Sequence, residues 1–207
     1  MLALYDHPNS SNALKVRFLL AELGLDYQRR PVPLTRPRPD AYLAVNPVGG
    51  IPTLVAGGLV LSESNAILRY LANRERRDDL YPQDPTARAR VDELLDRFSL
   101  VLRPALFSVE AAALGFKPGH GFGGAPADPQ AALAKAEQIA PTLRLFDGLV
   151  DAGGYALGGF TIGDCAAAPA LYRTGHTGLD LSAYPNLRRW RDTVCARPAF
   201  AAAQPAL

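Results

Sequence analysis

The stretch that most restricts what this chain can become spans residues 46–68 and reads NPVGGIPTLVAGGLVLSESNAIL. Gly49-Gly50-Ile51-Pro52 precedes a short apolar run, Thr53-Leu54-Val55. Gly57-Gly58 separates that run from a second, Leu59-Val60-Leu61, and Ser62-Glu63-Ser64 then opens a segment with helical spacing. The order is turn, strand, two-glycine hairpin, strand and helix. A proline at the entry of a strand has no N–H to give to the ladder, and an X-Pro bond can adopt the cis form in a tight turn. Pro52 therefore leaves neighbouring backbone groups free to pair with an extended peptide. Further on, Glu63 and Ser64 stand at a helix start, where unpaired backbone N–H groups and the positive dipole end suit a carboxylate. The stretch predicts a peptide-binding edge beside an anion-binding helix start.

These residues resemble the glutathione transferase superfamily, whose thioredoxin-like first domain carries a pattern close to N-P-x-G-x-[VI]-P-x-L and then a helix opening [EQ]-S-x-A-I. The chain has Asn46-Pro47-Val48-Gly49-Gly50-Ile51-Pro52-Thr53-Leu54 and then Glu63-Ser64-Asn65-Ala66-Ile67. The resemblance implies an α/β thioredoxin-like N-terminal domain followed by an all-α C-terminal domain. It also implies glutathione as co-substrate, with neither a metal nor a nucleotide.

Taken from its start, the chain supports the same division. Leu2-Ala3-Leu4-Tyr5 reads as a strand, Asp6 to Asn12 as a polar turn rich in helix-capping residues, and the run from Ala13 as a helix ending near Gly24. Tyr27 to Leu34 reads as a second strand held to a sheet edge by Pro31 and Pro33, and a short helical turn is expected around Asp40-Ala41-Tyr42-Leu43. With the opening stretch this makes βαβ then ββα. The arginine-rich and acidic run after Asn73 marks a change, so the first domain is placed at residues 1–78, a linker at 79–85 and the helical domain at 86–207. Thr86 is the expected cap of a long helix reaching about Leu114 and kinked at Pro104. The glycine-rich run 115–127 reads as a loop, and Asp128-Pro129 opens the next helix. Thr161-Ile162-Gly163-Asp164 forms a capping box and so directs a helix without touching ligand. Residues 184–200 close the chain with another helix.

Composition excludes several classes. In 207 residues a formal net charge of +2 gives no basis for nucleic-acid binding, and no apolar run approaches the ~20 residues that span a bilayer. The N-terminus has no basic n-region, and Cys165 and Cys195 are too far apart for a CxxC or metal-ligand spacing. A cytoplasmic enzyme with two small core cysteines is expected.

A thiol with a pKa near 8.5 is only a few per cent thiolate at neutral pH, so an enzyme using it must favour the anion. A hydroxyl at a helix N-terminus can do so by hydrogen bonding to sulfur, with the dipole adding field. Ser10, Ser11 and Asn12 occupy such a place. Aligned on Leu4-Tyr5 and Lys15-Val16-Arg17, Ser10 falls where serine-type members of the family hold the glutathione thiolate. Ser11 is the near alternative, since a one-residue shift exchanges the two hydroxyls. Tyr5 is expected in the core. The resemblance also assigns Glu63 to the γ-glutamyl ammonium, Ser64 and its N–H to the adjacent carboxylate, and Gly50, Ile51 and Pro52 to the cysteinyl backbone. Gly50 departs from the pattern, which often has Lys, Gln or Arg there for the glycyl carboxylate; either glutathione is held weakly or another basic residue such as Lys15, Arg36 or Arg38 reaches in.

The second substrate, a small hydrophobic electrophile, is expected against the helical domain, with His7, Phe98, Leu102, Phe107, Phe116 and His120 as wall candidates. A homodimer is implied, formed by the first domain of one subunit against the long helix of the other. Three activities compete. The first is conjugation; the second is isomerisation of the maleylacetoacetate kind, whose Ser-Ser-Cys motif has Asn12 in place of cysteine here, or reduction or dehalogenation on the same fold. The third is a non-catalytic binding or scaffold role.

Overall fold

The computed structural model describes residues 1–116, 124–151 and 153–204. The chain opens with β1 (Leu2–Asp6), α1 (Ser11–Glu22) and β2 (Gln28–Pro31), continues through α2 (Asp40–Leu43), and then enters β3 (Thr53–Ala56), β4 (Leu59–Ser62) and α3 (Ser64–Arg74). The strands form one sheet in the order β2-β1-β3-β4, with β1 and β2 parallel and the other neighbours antiparallel. In β1 alternate residues Leu2, Leu4 and Asp6 are buried, the period a half-covered strand requires. The exposed β2 lies at the edge, where its Pro31 costs no ladder bond. Gly57 turns the β3–β4 hairpin at φ +62°, a backbone conformation that disfavours side chains, and the Ile51–Pro52 bond is cis. This is the expected thioredoxin-like half.

Helices make up the other half: α4 (Pro85–Arg97), a π-helical turn (Phe98–Leu102), α5 (Arg103–Leu114), α6 (Pro129–Leu149), α7 (Ile162–Thr174), α8 (Pro185–Cys195) and α9 (Pro198–Ala203). The single closing helix expected over residues 184–200 is two, α8 and α9, divided at Ala196-Arg197 before Pro198. Two further expectations, in the α4–α5 segment, need correction. The cap of α4 is Asp84, whose carboxylate accepts the Ala87 N–H at 2.8 Å with Pro85 as first helical residue; Thr86 lies already inside the helix. The bend expected at Pro104 takes the form of the π-helical turn just before it, so the missing proline N–H falls in the first turn of α5. That turn carries Phe98 and Leu102 wholly into the core.

Helix α7 is the axis of the helical half, buried along nearly its whole length. Its first turn approaches α4 so closely that a Cβ on Gly163 would stand 2.4 Å from Leu94 Cδ2. The Thr161-Asp164 capping box forms, and the fully buried Asp164 carboxylate also accepts from Ala156 N–H at 3.2 Å and from Trp190 Nε1 at 2.7 Å. Burial pushes the Asp164 pKa up against the hydrogen bonds that pull it down.

The two halves meet along α1. Phe18 sets its ring edge-on to Phe200 at 5.2 Å, Arg17 Nε donates to Ala203 O at 2.9 Å, and Arg197 pairs with Glu22. Arg17 also pairs with Asp6 at 2.6 Å, a carboxylate it shares with Arg29. These bonds hold the carboxyl end of β1 and the start of α1 against the helical half. No helix among the described residues is long and apolar enough to cross a membrane.

Candidate active site

A cavity of about 1000 Å³ lies between the two halves, above the ends of β1 and β3. One wall is made by the starts of α1 and α3 and the turn before β3; the other by α5, α7 and residues 124–127.

The first wall begins with Ser10, the N-cap of α1, whose Oγ accepts the Ala13 N–H at 3.2 Å. A hydroxyl that accepts there still has its own proton to donate into the cavity. Ser11 follows as the first helical residue, and its Oγ accepts from Arg103 of α5 at 3.0 Å. Ser10, Ser11 and Asn12 all line the cavity.

The turn before β3 is clamped from behind. Asn46 Nδ2 donates to Gly50 O at 3.0 Å and to Thr53 Oγ1 at 2.9 Å, while the Tyr42 hydroxyl donates to Gly50 O and shares a 2.9 Å hydrogen bond with the Thr53 hydroxyl. Val48 N–H returns a bond to Asn46 Oδ1 at 3.2 Å. Asn46 and Tyr42 are buried. Ile51, in contrast, makes no backbone hydrogen bond among the described residues, so its N–H and C=O are presented to the cavity beside Pro52. Such a free extended segment is what a peptide pairs with.

Helix α3 starts differently from α1. Its N-cap Glu63 holds φ +68° and ψ 107° and makes no capping bond through its side chain. A non-glycine residue at positive φ is strained and is kept only where its surroundings enforce it. The first-turn N–H groups beside the buried Ser64 thus lack a side-chain acceptor, and Glu63 and Ser64 both face the cavity. Behind them Lys15 is buried between α1 and α3, its Nζ donating to Asn65 Oδ1 at 3.0 Å, while Asn65 Nδ2 donates to Ser99 Oγ at 2.8 Å. Burial, aided by the Arg103 charge and opposed by Glu63, lowers the Lys15 pKa to about 7.

Of the three cations considered for a glycyl carboxylate, Lys15 is thus enclosed behind the wall. Arg38 is spent on the chain's own carbonyls, with Nε on Gly49 O at 3.0 Å and Nη1 on those of Thr35 and Pro33. Arg36 is exposed, lines the cavity, and brings Nη1 within 3.1 Å of where a Cβ on Gly49 would lie.

On the second wall Arg103, Phe107 and Glu110 share one face of α5, at the spacing of successive turns. The Arg103 guanidinium lies over the Phe107 ring, 4.9 Å from its centroid, and Phe107 packs on Phe116 at 5.5 Å. From α7, Arg173 reaches Glu110 at 2.5 Å and the Asn9 carbonyl at 2.5 Å, and Tyr172 packs edge-on to His176 at 4.9 Å. Burial lowers the Arg103 pKa; Glu110 opposes the shift and Arg173 adds to it.

The cavity therefore brings together Ser10, Ser11, Asn12, Gly50, Ile51, Pro52, Glu63, Ser64, Phe107 and Phe116. It does not include Phe98 or Leu102, which are core. Nor does it include His7, which stays in the turn after β1 with its Nδ1 accepting the Asn9 N–H at 3.1 Å. Tyr5 packs at 5.4 Å on Tyr42 and is likewise away from the cavity. His120 lies outside the described residues. Sequence reasoning missed Tyr42 as a clamp, and Arg103, Glu110, Tyr172, Arg173 and His176 as wall residues. The available signal was Arg103 and Glu110, the two charged residues of α5, standing two turns apart. Among the described residues no cluster of side chains suits a metal ion.

Comparison with known proteins agrees with this geometry. Residues 1–73 match the family model described as glutathione S-transferase, N-terminal domain, and residues 111–198 match the glutathione S-transferase C-terminal domain. The chain is 36% identical to glutathione S-transferase 3 of Zea mays over 96% of its own length and 91% of the relative's. It is 33% identical to a maleylacetoacetate isomerase of Pseudomonas aeruginosa over 99% of its length and 96% of the relative's. Among solved structures, glutathione S-transferase III in apo form superposes with a TM-score of 0.81 at 34% identity, covering 100% of this chain and 98% of that one. A theta class enzyme of Xanthomonas axonopodis pv. citri with glutathione bound gives 0.82 at 28%, covering 100% and 98%. With a thioredoxin-like sheet, a helical second half and both family domains matched, the chain belongs to the glutathione S-transferase family.

Proposed function

We propose that this chain binds glutathione along the first wall and conjugates its sulfur to a small electrophile with an apolar body. The observation that carries the reading is the joint presentation, in one cavity, of the unpaired Ile51 backbone beside Pro52, the uncapped start of α3, and the Ser10 hydroxyl. The cysteinyl unit of glutathione pairs with Ile51. Its γ-glutamyl carboxylate takes the N–H groups at Ser64, and its ammonium takes Glu63. Arg36 is the cation placed for the glycyl carboxylate. Ser10 donates its hydrogen to the sulfur, favouring thiolate over thiol, with the α1 dipole behind it; Ser11 is the alternative donor.

With an aryl halide the chemistry is a displacement. The thiolate attacks the carbon bearing chlorine, a C–S bond forms, the C–Cl bond breaks, chloride leaves with the electron pair, and the thiol proton passes to solvent. Holding the two reactants together supplies most of the acceleration. Isomerisation is the second reading, favoured by the relative in Pseudomonas aeruginosa and by adjacent Ser10 and Ser11. The protein acts in the cytoplasm as a homodimer, covering the exposed Val48, Leu100 and Val101, and its two domains divide at residues 79–85.

Titration calorimetry with glutathione, on the native protein and on Ser10→Ala, tests the reading alongside turnover of 1-chloro-2,4-dinitrobenzene. Both proteins should bind, and Ser10→Ala should lose about 100-fold in turnover, the usual effect of removing one hydrogen bond to a developing or held anion. The same loss in Ser11→Ala alone would transfer the role to Ser11. No binding by the native protein at millimolar glutathione would overturn the whole reading in favour of a scaffold.

A further inference from the structure

The second wall carries more positive charge than it answers. Arg173 is neutralised by Glu110, and its remaining reach is used on the Asn9 carbonyl. Arg103 has no carboxylate within ion-pair distance among the described residues. Its one hydrogen-bond partner there is neutral, the Ser11 hydroxyl at 3.0 Å. A guanidinium has five N–H donors in a rigid fork shaped to take a carboxylate on two parallel bonds. Here the fork is fixed from two sides, by Ser11 at one end and by the Phe107 ring at its face, so little freedom remains to be lost when a ligand arrives. A partly buried cation without a counter-charge is costly, and the cost is relieved if the occupant of the cavity brings an anion.

We propose that the second substrate is itself an anion: an electrophile with an apolar body that lies against Phe107, Leu114 and Phe116 and a carboxylate that docks on Arg103. The proposal rests on the glutathione reading above and narrows its second substrate. Position favours the second substrate over glutathione as the source of the anion. Arg103 stands on the helical wall, next to the apolar residues of α5, whereas both glutathione carboxylates have donors on the opposite wall, at Ser64 and Arg36. The remaining anion is the thiolate itself; with Ser10 as its donor, Arg103 is engaged one residue away, on Ser11.

A pair of probes separates these sources. The conjugates of glutathione with 4-chloro-3-nitrobenzoate and with its methyl ester differ in one charge and one methyl group, and their binding is measured by calorimetry for the native protein, Arg103→Met and Arg103→Lys. The native protein should bind the carboxylate conjugate about tenfold more tightly than the ester, the effect of a charge-assisted hydrogen-bonded pair. Arg103→Met should bring that ratio to about one, and Arg103→Lys should restore part of it. Glutathione affinity, measured in the same series, reports folding and the first wall. Equal affinity of the native protein for both conjugates would overturn the anion subsite while leaving the glutathione reading intact. So would an unchanged ratio in Arg103→Met accompanied by a raised pH for the thiolate's ultraviolet absorbance, which would assign Arg103 to the sulfur. Failure of glutathione and both conjugates to bind the native protein would instead bring down the glutathione reading, and this subsite with it.

Discussion

On one side of the cavity backbone groups stand beside the polar side chains offered to a ligand; on the other the polar groups belong to side chains. The first wall offers the unpaired amide of Ile51 and the uncapped turn of α3, each produced by residues close together in the chain. The second offers Arg103, Glu110, Arg173, Tyr172 and His176, carried by α5 and α7 and brought together only when those helices pack. Backbone groups placed by a tight turn need few neighbours to keep their aim. Side chains on two helices are only as well placed as the helices themselves. The difference teaches where each wall is vulnerable: the first at the residues that shape its turns, the second at whatever fixes α7.

The largest effect should come from Asp164. Its fully buried carboxylate accepts from Thr161 N–H at 2.8 Å, Thr161 Oγ1 at 3.0 Å, Ala156 N–H and Trp190 Nε1, which together set the start of α7 against α8. Asp164→Ala leaves those donors without an acceptor and should lower unfolding free energy by about 4 kcal/mol, measured by guanidinium denaturation. The comparison is sharpened if Asp164→Asn, purified folded, loses the carboxylate preference at Arg103 more than it loses affinity for glutathione. Equal loss of both would break it, since the walls would then depend on α7 alike.

A smaller effect, confined to the first wall, is expected at Glu63. If its carboxylate takes the γ-glutamyl ammonium, Glu63→Gln should weaken glutathione binding about tenfold, the usual share of one charge-assisted pair. Unfolding free energy should change little, because the side chain caps nothing. Titration calorimetry with glutathione checks the first part. A Glu63→Gln protein that binds as well as the native one would remove Glu63 from the binding set and leave its positive φ without a role.

The legibility of the two walls follows the same division. The 46–68 stretch disclosed its turn, hairpin and helix start because proline and glycine act through local backbone geometry, and the observed β3, β4 and α3 occupy those places. Thr161 and Asp164 were readable for the same reason: a capping box closes within three residues. The cap of α4 was misplaced by two residues, since Asp84-Pro85 and Thr86 both offer a plausible start and only the backbone decides. Phe98 and Leu102 were offered as wall residues only because the second substrate was expected against the helical domain; at i+7 and i+11 from Val91 they continue the face that Val91 and Leu95 bury, and they lie in the core. The clamp of Tyr42 and Asn46 on Gly50 and Thr53 was invisible because it depends on where a short loop helix comes to rest. Arg173 meets Glu110 across a separation no local pattern reports.

Lys15 provides the finest test, because it puts a titrating side chain behind the wall that presents the Ile51 and α3 backbone groups. Its Nζ is enclosed between α1 and α3 on Asn65 Oδ1, and burial with the nearby Arg103, against Glu63, lowers its pKa from 10.5 to about 7. Below about pH 7 folded and unfolded chains both hold the proton, and the full cost of burying the charge is present. Between about 7 and 10.5 the unfolded chain holds a proton that the folded one has released, so the contribution of Lys15 to stability rises with pH, by at most about 1.4 kcal/mol per unit. Lys15→Met removes this titration and keeps most of the apolar stem. The unfolding free energy of the native protein minus that of Lys15→Met should therefore climb between about pH 7 and about pH 9, and stay flat between about pH 5.5 and about pH 6.5. Taking the difference cancels the groups common to both proteins, including the buried thiol of Cys165, whose pKa burial raises. A difference that is flat across the whole range would mean that Lys15 keeps its ordinary affinity for the proton when folded. The first wall would then rest on a fixed positive charge, and its start at α3 would hold a carboxylate partly through Lys15 and not through backbone groups alone.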